Sequence, residues 1–215
     1  MNQPTVTAII PAYNEEKTIA SVVKTACVSP YVRDVIVVSD GSIDRTAEFA
    51  REAGATVFDL QKNGGKGQAM LYGFQQTDAE IILFLDADLI GLTETHLEQL
   101  LKPVLNETCM MNVGMRDRGR FFTALAHQFP IISGERAMRR QILESIPSKF
   151  MHGFMVEVAF NQFCKAMKYP FGTVDLSGLS IRRKYQKVGF LKAVVQYLRM
   201  FIQIVRAMIT VRFAK

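Results

Sequence analysis

The sequence predicts an α/β fold, a doubly wound and mostly parallel sheet with helices on its faces, followed by an amphipathic C-terminal helix. In the first hundred residues, short apolar runs rich in β-branched side chains alternate with amphipathic segments of about a dozen residues. This alternation is typical of βαβ units, in which a helix crosses between parallel strands. At 215 residues the chain is long enough to bury a core of that kind.

The predicted elements follow from hydrophobic periodicity and from glycine and proline punctuation. Strands are expected at Thr5–Ile10, Asp34–Val38, Ala55–Phe58 and Glu80–Leu85, and helices at Glu15–Val28, Ser42–Ala53 and Gly67–Gln76. The second half is less regular, with a strand at Cys109–Met115, helices at Gly134–Ile146 and Val156–Met167, and a short strand at Thr173–Leu176. Ile19, Val22, Val23 and Ala26 fall on one face of the first helix, which is therefore expected to be buried.

Composition excludes a disordered protein, since 49% of residues are hydrophobic and 21% are charged. Cys27, Cys109 and Cys164 are odd in number and widely spaced, as expected for thiols in a reducing compartment. The N-terminal residues Met-Asn-Gln-Pro-Thr have no signal-peptide pattern. We therefore expect a cytoplasmic protein, either free or peripheral on the inner face of the membrane.

The formal charge of +6 is concentrated at the end of the chain. From Arg182 to Lys215 there are nine Lys or Arg residues and no Asp or Glu. Such a segment can bind nucleic acid, anionic lipid or phosphorylated substrates. The sequence contains no recognition module for DNA or RNA, which favours the last two.

The segment Gly189–Arg212 is predicted to form one long helix. Its polar side chains recur at intervals of 4, 3, 4, 3 and 4 residues and form one stripe opposite a broad apolar face: Lys192, Gln196, Arg199, Gln203, Arg206 and Thr210. Charges in its middle argue against a membrane span, and the pattern favours a helix lying in the membrane interface. A helix packed in a homodimer, or on the catalytic domain, is the alternative. We therefore divide the chain into a domain at 1–186 and this helix at 187–215.

The apolar run Ile81–Leu85 leads directly into Asp86-Ala87-Asp88. In an open α/β sheet, ligands bind beyond the carboxyl ends of the strands. Two carboxylates at that place can supply oxygen ligands to a hard divalent cation, and the cation can hold a diphosphate. Asp is also common in turns, so the motif gains its weight from the strand before it and from the loops upstream.

Three earlier loops have complementary chemistry. Pro11-Ala12 is a tight turn where the backbone can approach a flat base, while Asn14 is interpreted as a cap of the next helix. Asp40 directly follows a strand and can bond a base or a ribose hydroxyl. The loop Asn63-Gly64-Gly65-Lys66-Gly67 brings backbone and a cation near phosphate, but without the spacing of a P-loop or a dinucleotide-binding motif.

Taken in order, these four loops resemble family 2 glycosyltransferases of the GT-A fold. The runs that resemble it are I-I-P-A-Y-N-E-E, V-V-S-D-G-S-I-D-R-T, N-G-G-K-G-Q-A-M and F-L-D-A-D-L. The resemblance implies that a nucleotide-diphosphate sugar binds here, with Pro11, Ala12, Glu15, Asp40, Lys66 and Asp86 contacting the nucleotide sugar. Asp88, together with Asp86, would bind Mg²⁺ or Mn²⁺ at the diphosphate. The family commonly has two acids in the second loop, and this chain has Ser39-Asp40.

The second half resembles polyprenyl-phosphate glycosyltransferases and, more loosely, glucosyl-3-phosphoglycerate synthases. The run Ser133-Gly134-Glu135-Arg136-Ala137-Met138-Arg139-Arg140 is similar to S-G-x-R-A-x-R-R in these enzymes. The metal-binding histidine of the synthases has no counterpart in Gly178–Lys184. An inverting reaction on a hydroxyl needs a carboxylate base, whereas a phosphate acceptor needs none. Asp117, Glu135, Glu157 and Asp175 are candidates for the base, and Glu135 and Glu157 are preferred with Asp88 as catalytic residues.

The function expected from these residues is metal-dependent transfer of a sugar from a UDP- or GDP-sugar to a polyprenyl phosphate. A small phosphorylated acceptor such as phosphoglycerate is the alternative, and so is a non-catalytic sugar-nucleotide-binding protein. A sugar-phosphate nucleotidyltransferase would need a basic glycine-rich loop after the first strand, where this chain has Pro11-Ala12-Tyr13-Asn14.

Overall fold

The structure, a computed structural model, describes residues 3–116, 133–147 and 155–182. Its strands are β1 (Val6–Ala12), β2 (Asp34–Asp40), β3 (Thr56–Leu60), β4 (Ile81–Phe84), β5 (Leu89–Ile90), β6 (Met111–Arg116), β7 (Arg136–Arg139), β8 (Phe171–Leu176) and β9 (Ser180–Ile181). Its helices are α1 (Ile19–Val28), α2 (Thr46–Glu52), α3 (Lys66–Gln75), α4 (Glu94–Leu105), α5 (Arg140–Ser145) and α6 (Met155–Ala166).

Seven strands form one sheet in the order β3-β2-β1-β4-β7-β6-β8. The first four are parallel, β7 runs antiparallel to both β4 and β6, and β8 is parallel to β6. The predicted mostly parallel α/β sheet is confirmed. Because β7 is reversed, the residues before it lie at the same edge as the carboxyl ends of β4 and β6. This edge therefore collects Asp86, Arg116 and Glu135 from three segments far apart in sequence.

The core lies on both faces of the sheet, because successive side chains of each buried strand point to opposite sides. Ala8 and Ile10 of β1 pack in a cluster with α1 and α4, whereas Ile9 packs in a second cluster with α3 and α6. Burial on both faces explains why β1, β2 and β4 are continuous apolar runs in the sequence. The four residues predicted to form the buried face of the first helix are all buried in α1.

Helix α4 was not among the predicted elements, and Pro103 is the residue in it that argues against a helix. Pro103 lies inside the helix, where it cannot donate the usual backbone hydrogen bond to the carbonyl of Gln99. The buried side chain of Asn112 replaces that donor, since its Nδ2 lies 3.0 Å from the carbonyl oxygens of Gln99 and Leu100. At the other end, Thr93 and His96 form a reciprocal capping box. The helix thus depends on a side chain from β6.

Two local predictions are wrong. The predicted helix at Gly134–Ile146 is a strand, β7, followed by the short helix α5, because β4 and β6 both offer an edge to Arg136–Arg139. The first helix begins at Ile19 rather than at Glu15, and Asn14 does not cap it. Asn14 has a positive φ of 56°, and its Oδ1 accepts the backbone N–H of Ile43 at 2.9 Å. It therefore joins the loop after β1 to the loop after β2.

The C-terminal helix predicted at 189–212 lies outside the described residues, as do the division of the chain at residue 186 and the candidate base Asp117. Within the described ranges, no helix is both long enough and apolar enough to cross a membrane.

Candidate active site

A cluster of charged side chains lies at the edge of the sheet where β4 and β6 end. Asp86, two residues beyond β4, receives the ammonium of Lys66 at 2.7 Å on Oδ1 and the Arg116 guanidinium at 3.8 Å on Oδ2. Its side chain keeps 19% of its surface exposed. Asp86 is therefore accessible from solvent while both of its carboxylate oxygens face cations of the protein.

Lys66 connects this cluster to a distant helix. It is the first residue of α3, and its Nζ lies 2.7 Å from Oε1 of Glu157 as well as 2.7 Å from Asp86. Burial lowers the pKa of Lys66, but the two carboxylates outweigh burial, so the net shift is upward and the amine stays charged. A charged donor with two carboxylate partners fixes the positions of Asp86 and Glu157 relative to each other.

Glu135, one of the predicted catalytic residues, is fully buried directly before β7. Its Oε2 lies 3.3 Å from Nε of Arg116 and accepts the Ser133 hydroxyl at 2.7 Å. Burial raises the pKa of Glu135, and the positive charge of Arg116 opposes that shift. Since no surface of Glu135 is exposed, this geometry favours a role in holding Arg116 over direct contact with an acceptor.

Two arginines in the cluster were missed by the sequence analysis. Arg116, the last residue of β6, bridges Asp86 and Glu135, and its side chain is 9% exposed. Arg116 lies at a strand end, which is the signal that identified Asp86. The same signal could have identified Arg116. Arg136 is fully buried in β7, and its guanidinium donates to the carbonyls of Ser133 and Glu157. That role depends on α6 packing against the sheet and has no local signal.

Some buried polar atoms of the cluster have no hydrogen-bond partner among the described residues. Among the described residues, Arg116 Nη1, Glu135 Oε1 and Arg136 Nε are buried without a hydrogen-bond partner. Desolvation lowers the pKa of Arg136, while Glu157 and Glu135 oppose that shift. Unsatisfied buried polar atoms are costly, and their concentration here is more typical of a functional site than of a core optimised for stability.

Asp88, the predicted metal ligand, follows Asp86 in the turn between β4 and β5. Its backbone carbonyl accepts the N–H of Arg182 at 3.0 Å, so the two-stranded sheet of β5 and β9 holds this turn in place. The described residues contain no group of three or more His, Cys, Asp or Glu side chains that could hold a metal ion. The binding of a divalent cation by Asp86 and Asp88, predicted from the sequence, stays a prediction.

The loops after β1 and β2 are joined by several hydrogen bonds. The backbone N–H of Asn14 donates to Ser42 Oγ at 3.1 Å, and that of Glu15 donates to Thr46 Oγ1 at 2.7 Å. Pro11 and Ala12 form the end of β1, and Ala12 is buried. Ser42, the first residue of the predicted second helix, does not cap α2, since its hydroxyl accepts from the loop after β1.

Asp40 lies at the end of β2 and is only 3% exposed. Its two carboxylate oxygens accept the backbone N–H groups of Gly64, at 2.8 Å, and Gly65, at 2.7 Å. Direct contact with a base or ribose, as predicted from the sequence, stays a prediction. The carboxylate of Asp40 is already engaged with the glycine-rich loop in this structure.

The arrangement brings Lys66, Asp86 and Glu157 into direct contact and joins Glu135 to them through Arg116. It places Asp40, at the end of β2, in contact with the glycine-rich loop before Lys66. Asp175 lies exposed on β8.

Comparisons with known proteins give the family of this chain. The model of the family described as "Glycosyl transferase family 2" matches residues 7–162. Curated relatives include 4,4'-diaponeurosporenoate glycosyltransferases of Staphylococcus haemolyticus and Staphylococcus aureus, each 38% identical over 103 and 105 residues respectively. These matches cover 45% and 46% of this chain but only 28% of either relative, so the chain aligns with about a quarter of those proteins.

Solved structures similar to this chain include glucosyl-3-phosphoglycerate synthase from Mycobacterium tuberculosis. Its complex with phosphoglyceric acid has a TM-score of 0.77 and 27% identity, over 97% of this chain and 80% of the other. Its complex with Mn²⁺, UDP-glucose and phosphoglyceric acid has a TM-score of 0.78 and 26% identity, over 97% and 79%. With a family match over residues 7–162 and the strand-end loops in place, this chain belongs to glycosyl transferase family 2.

Proposed function

We propose that this protein is a glycosyltransferase that moves a sugar from a UDP- or GDP-sugar to an anionic acceptor with the aid of Mg²⁺ or Mn²⁺. The observation that carries the proposal is the charged cluster at the end of β4, where Lys66 and Arg116 flank Asp86. A leaving nucleoside diphosphate gains negative charge, and cations already positioned in a partly buried site stabilise that charge without reorganisation. Family membership supports the same reaction class.

The donor would occupy the edge formed by the loops after β1, β2 and β4. Pro11, Ala12 and Glu15 would flank the nucleoside, and Asp86 would approach the ribose and the cation. Asp88 would hold the cation, which would supply positive charge to the leaving diphosphate. Complexes of the mycobacterial synthase with Mn²⁺ and UDP-glucose, or with Mg²⁺ and UDP, support this donor class and this metal.

The first acceptor that we propose is a polyprenyl phosphate bound at a membrane surface. The basic segment that begins at Arg182 supports it, because a cationic and apolar chain end suits a lipid phosphate. A small phosphorylated acceptor is the second candidate, favoured by the phosphoglyceric acid in the similar synthase structures. In both cases the attacking or anchoring group is an anion, which cationic side chains at the site can position.

Glu157 is the better candidate for a base if the acceptor presents a hydroxyl. It is nearly buried, but its carboxylate contacts Lys66 and thereby lies next to Asp86. If the acceptor is a phosphate, no base is needed, and the same contact would serve to orient Lys66.

The test uses the purified full chain with UDP- and GDP-sugars, Mn²⁺ or EDTA, and either polyprenyl phosphate or 3-phosphoglycerate. Mass spectrometry should show a glycosylated product that depends on metal, and Asp88→Ala should lower turnover by at least about 10²-fold while the melting temperature is kept. Product on lipid alone selects the first acceptor, and product on phosphoglycerate alone selects the second. Nucleotide binding without product on any acceptor would favour the non-catalytic alternative, and full turnover in EDTA would refute the metal requirement.

A further inference from the structure

The loop that precedes Lys66 is held in place by a contact from the neighbouring strand. Asp40 accepts the N–H groups of Gly64 and Gly65 on its two separate oxygens, and its own carbonyl accepts Asn63 Nδ2 at 3.0 Å. Three consecutive residues of the glycine-rich loop are thus bonded to one residue at the end of β2. Hydrogen bonds from backbone N–H to a carboxylate are stronger than those between neutral groups.

Gly41 brings the two segments still closer. It has a positive φ of 70°, and a Cβ at this position would lie 2.7 Å from the backbone nitrogen of Asn63. Any larger residue would be strained by this conformation and would also push the glycine-rich loop away. Asp40-Gly41 and Asn63–Gly65 therefore form a single backbone unit, which we call the β2–α3 clamp.

The clamp is followed directly by Lys66, which belongs to the cluster of charged side chains around Asp86. Gly65 is the N-cap residue of α3, and Lys66 is its first residue. Lys66 then extends to Asp86 and Glu157, both at 2.7 Å. Since Gly65 has a φ of 89° and no atoms within contact distance of a Cβ, its own packing does not fix the loop. The loop is held by its hydrogen bonds to Asp40 and by the close approach of Gly41 to Asn63.

We infer that Asp40 is a positioning residue for Lys66, acting through the Gly64–Gly65 backbone, in addition to any contact it makes with the donor. The inference rests on the proposed function for its kinetic test only. It accounts for an acid at the end of β2 whose oxygens are both turned toward the protein rather than toward an open pocket. It also predicts that a substitution at Asp40 displaces the Lys66 ammonium, which would face the diphosphate of the donor.

The first test is hydrogen exchange in the nucleotide-free protein. Asp40→Asn keeps the shape of the side chain but turns an amide donor toward one of the two N–H groups. We expect exchange of the Gly64 and Gly65 amides to accelerate by at least about tenfold, with the amides of β1 and β4 unchanged. The matched control is Ser39→Ala, because Ser39 is equally buried and its hydroxyl has no hydrogen-bond partner among the described residues. Unchanged exchange in Asp40→Asn would overturn the inference whatever the enzyme does.

The second test is a double-mutant cycle in sugar transfer. Asp40→Asn and Lys66→Met should each lower kcat/KM by at least about tenfold, and Asp40→Asn should cost less than about threefold in the Lys66→Met background. Such coupling shows that Asp40 acts through Lys66. Fully additive losses would show that it acts on the donor directly and would overturn the positioning role. Gly41→Ala should reproduce the Asp40→Asn exchange pattern without touching any carboxylate. If the protein has no transferase activity, the double-mutant cycle cannot be measured, whereas the hydrogen-exchange test still can.

Discussion

At the scale of single residues, the unusual feature is the density of buried charge around β7. Arg116, Glu135 and Arg136 are all nine-tenths buried or more, and each has a polar atom without a partner among the described residues. Removing one member of such a set leaves the others uncompensated, so single substitutions should be costly. Two predictions follow for this cluster, one from the titration of Glu135 and one from the close approach of Gly134 to Asp86.

Glu135 should give the stability of the protein a specific pH dependence. Burial raises its pKa in the folded state above the ordinary value of 4.5, with Arg116 opposing the shift. Above pH 4.5 the unfolded chain has released this proton while the native state still binds it, so the free energy of unfolding falls as pH rises through the folded pKa. One group can contribute at most about 1.4 kcal/mol per pH unit.

Glu135→Gln removes this titration, and denaturation in urea between pH 4.5 and neutrality measures the effect. The difference in unfolding free energy between variant and wild type should shift in favour of the variant as pH rises. Glu144→Gln, at an exposed residue of α5, is the control for the removal of one carboxylate from the protein surface. Parallel curves for Glu135→Gln would mean that Glu135 ionises normally in the folded protein.

Gly134 should be required for the position of Asp86. A Cβ on Gly134 would overlap the Asp86 carboxylate, which is held by Lys66 and Arg116 and cannot move freely. We expect Gly134→Ala to lower kcat/KM for the sugar donor by about 10²-fold, because displacements of about 1 Å at a reacting centre have effects of that size. An unchanged melting temperature would show that the fold is kept. Wild-type kinetics for this variant would show that Asp86 adapts at no cost.

At the scale of elements, β6 and α4 stabilise each other through one side chain. Asn112 supplies the hydrogen bond that Pro103 removes from the helix. Asn112→Ala should therefore lower the free energy of unfolding by about 1–3 kcal/mol, since it removes the donor that replaces Pro103 at the carbonyl of Gln99. In a Pro103→Ala background, residue 103 regains an N–H for the carbonyl of Gln99, so the same substitution should cost less. Equal losses in both backgrounds, measured by chemical denaturation, would contradict the pairing.

Strand β7 shows how far elements can be predicted from sequence. Its residues, Arg136–Arg139, include two arginines and precede a helical segment, so periodicity favours a helix over the whole stretch. Tertiary context decides otherwise, because backbone groups of both β4 and β6 would be left unpaired without it. By contrast, β1, β2 and β4 were found at the right places, because strands buried on both faces must be continuously apolar.

At the scale of the whole molecule, we propose that the basic segment from Arg182 onward binds an anionic membrane surface. The helix predicted at 189–212 stays a prediction, with Lys192, Arg199 and Arg206 on its polar stripe. Each cation near an anionic membrane contributes about 1 kcal/mol, and added salt screens that contribution. We therefore expect the full chain to float with anionic liposomes at low salt, and expect chains truncated after Val188 to stay in the soluble fraction.

The matched variant replaces those three cations with glutamine and keeps the apolar face. It should lose the salt-sensitive part of liposome binding, while nucleotide affinity is kept in both altered proteins. Failure of the full chain to float would favour the homodimer alternative. In that case light scattering should show a dimer that depends on concentration and is lost on truncation.

The sequence by itself determined the fold class, the strand-end loops and the carboxylates at Asp86 and Asp88. These features are local, since apolar runs, glycines and strand ends are each readable within a few residues. Only the tertiary structure decided that Lys66 contacts Asp86 and Glu157, that Asp40 binds the glycine-rich loop, and that Arg116 and Arg136 belong to the site. Those contacts join residues from 20 to 91 positions apart. The contacts of Arg116, Arg136 and Glu157 depend on the reversed direction of β7 and on the packing of α6, which no local pattern encodes.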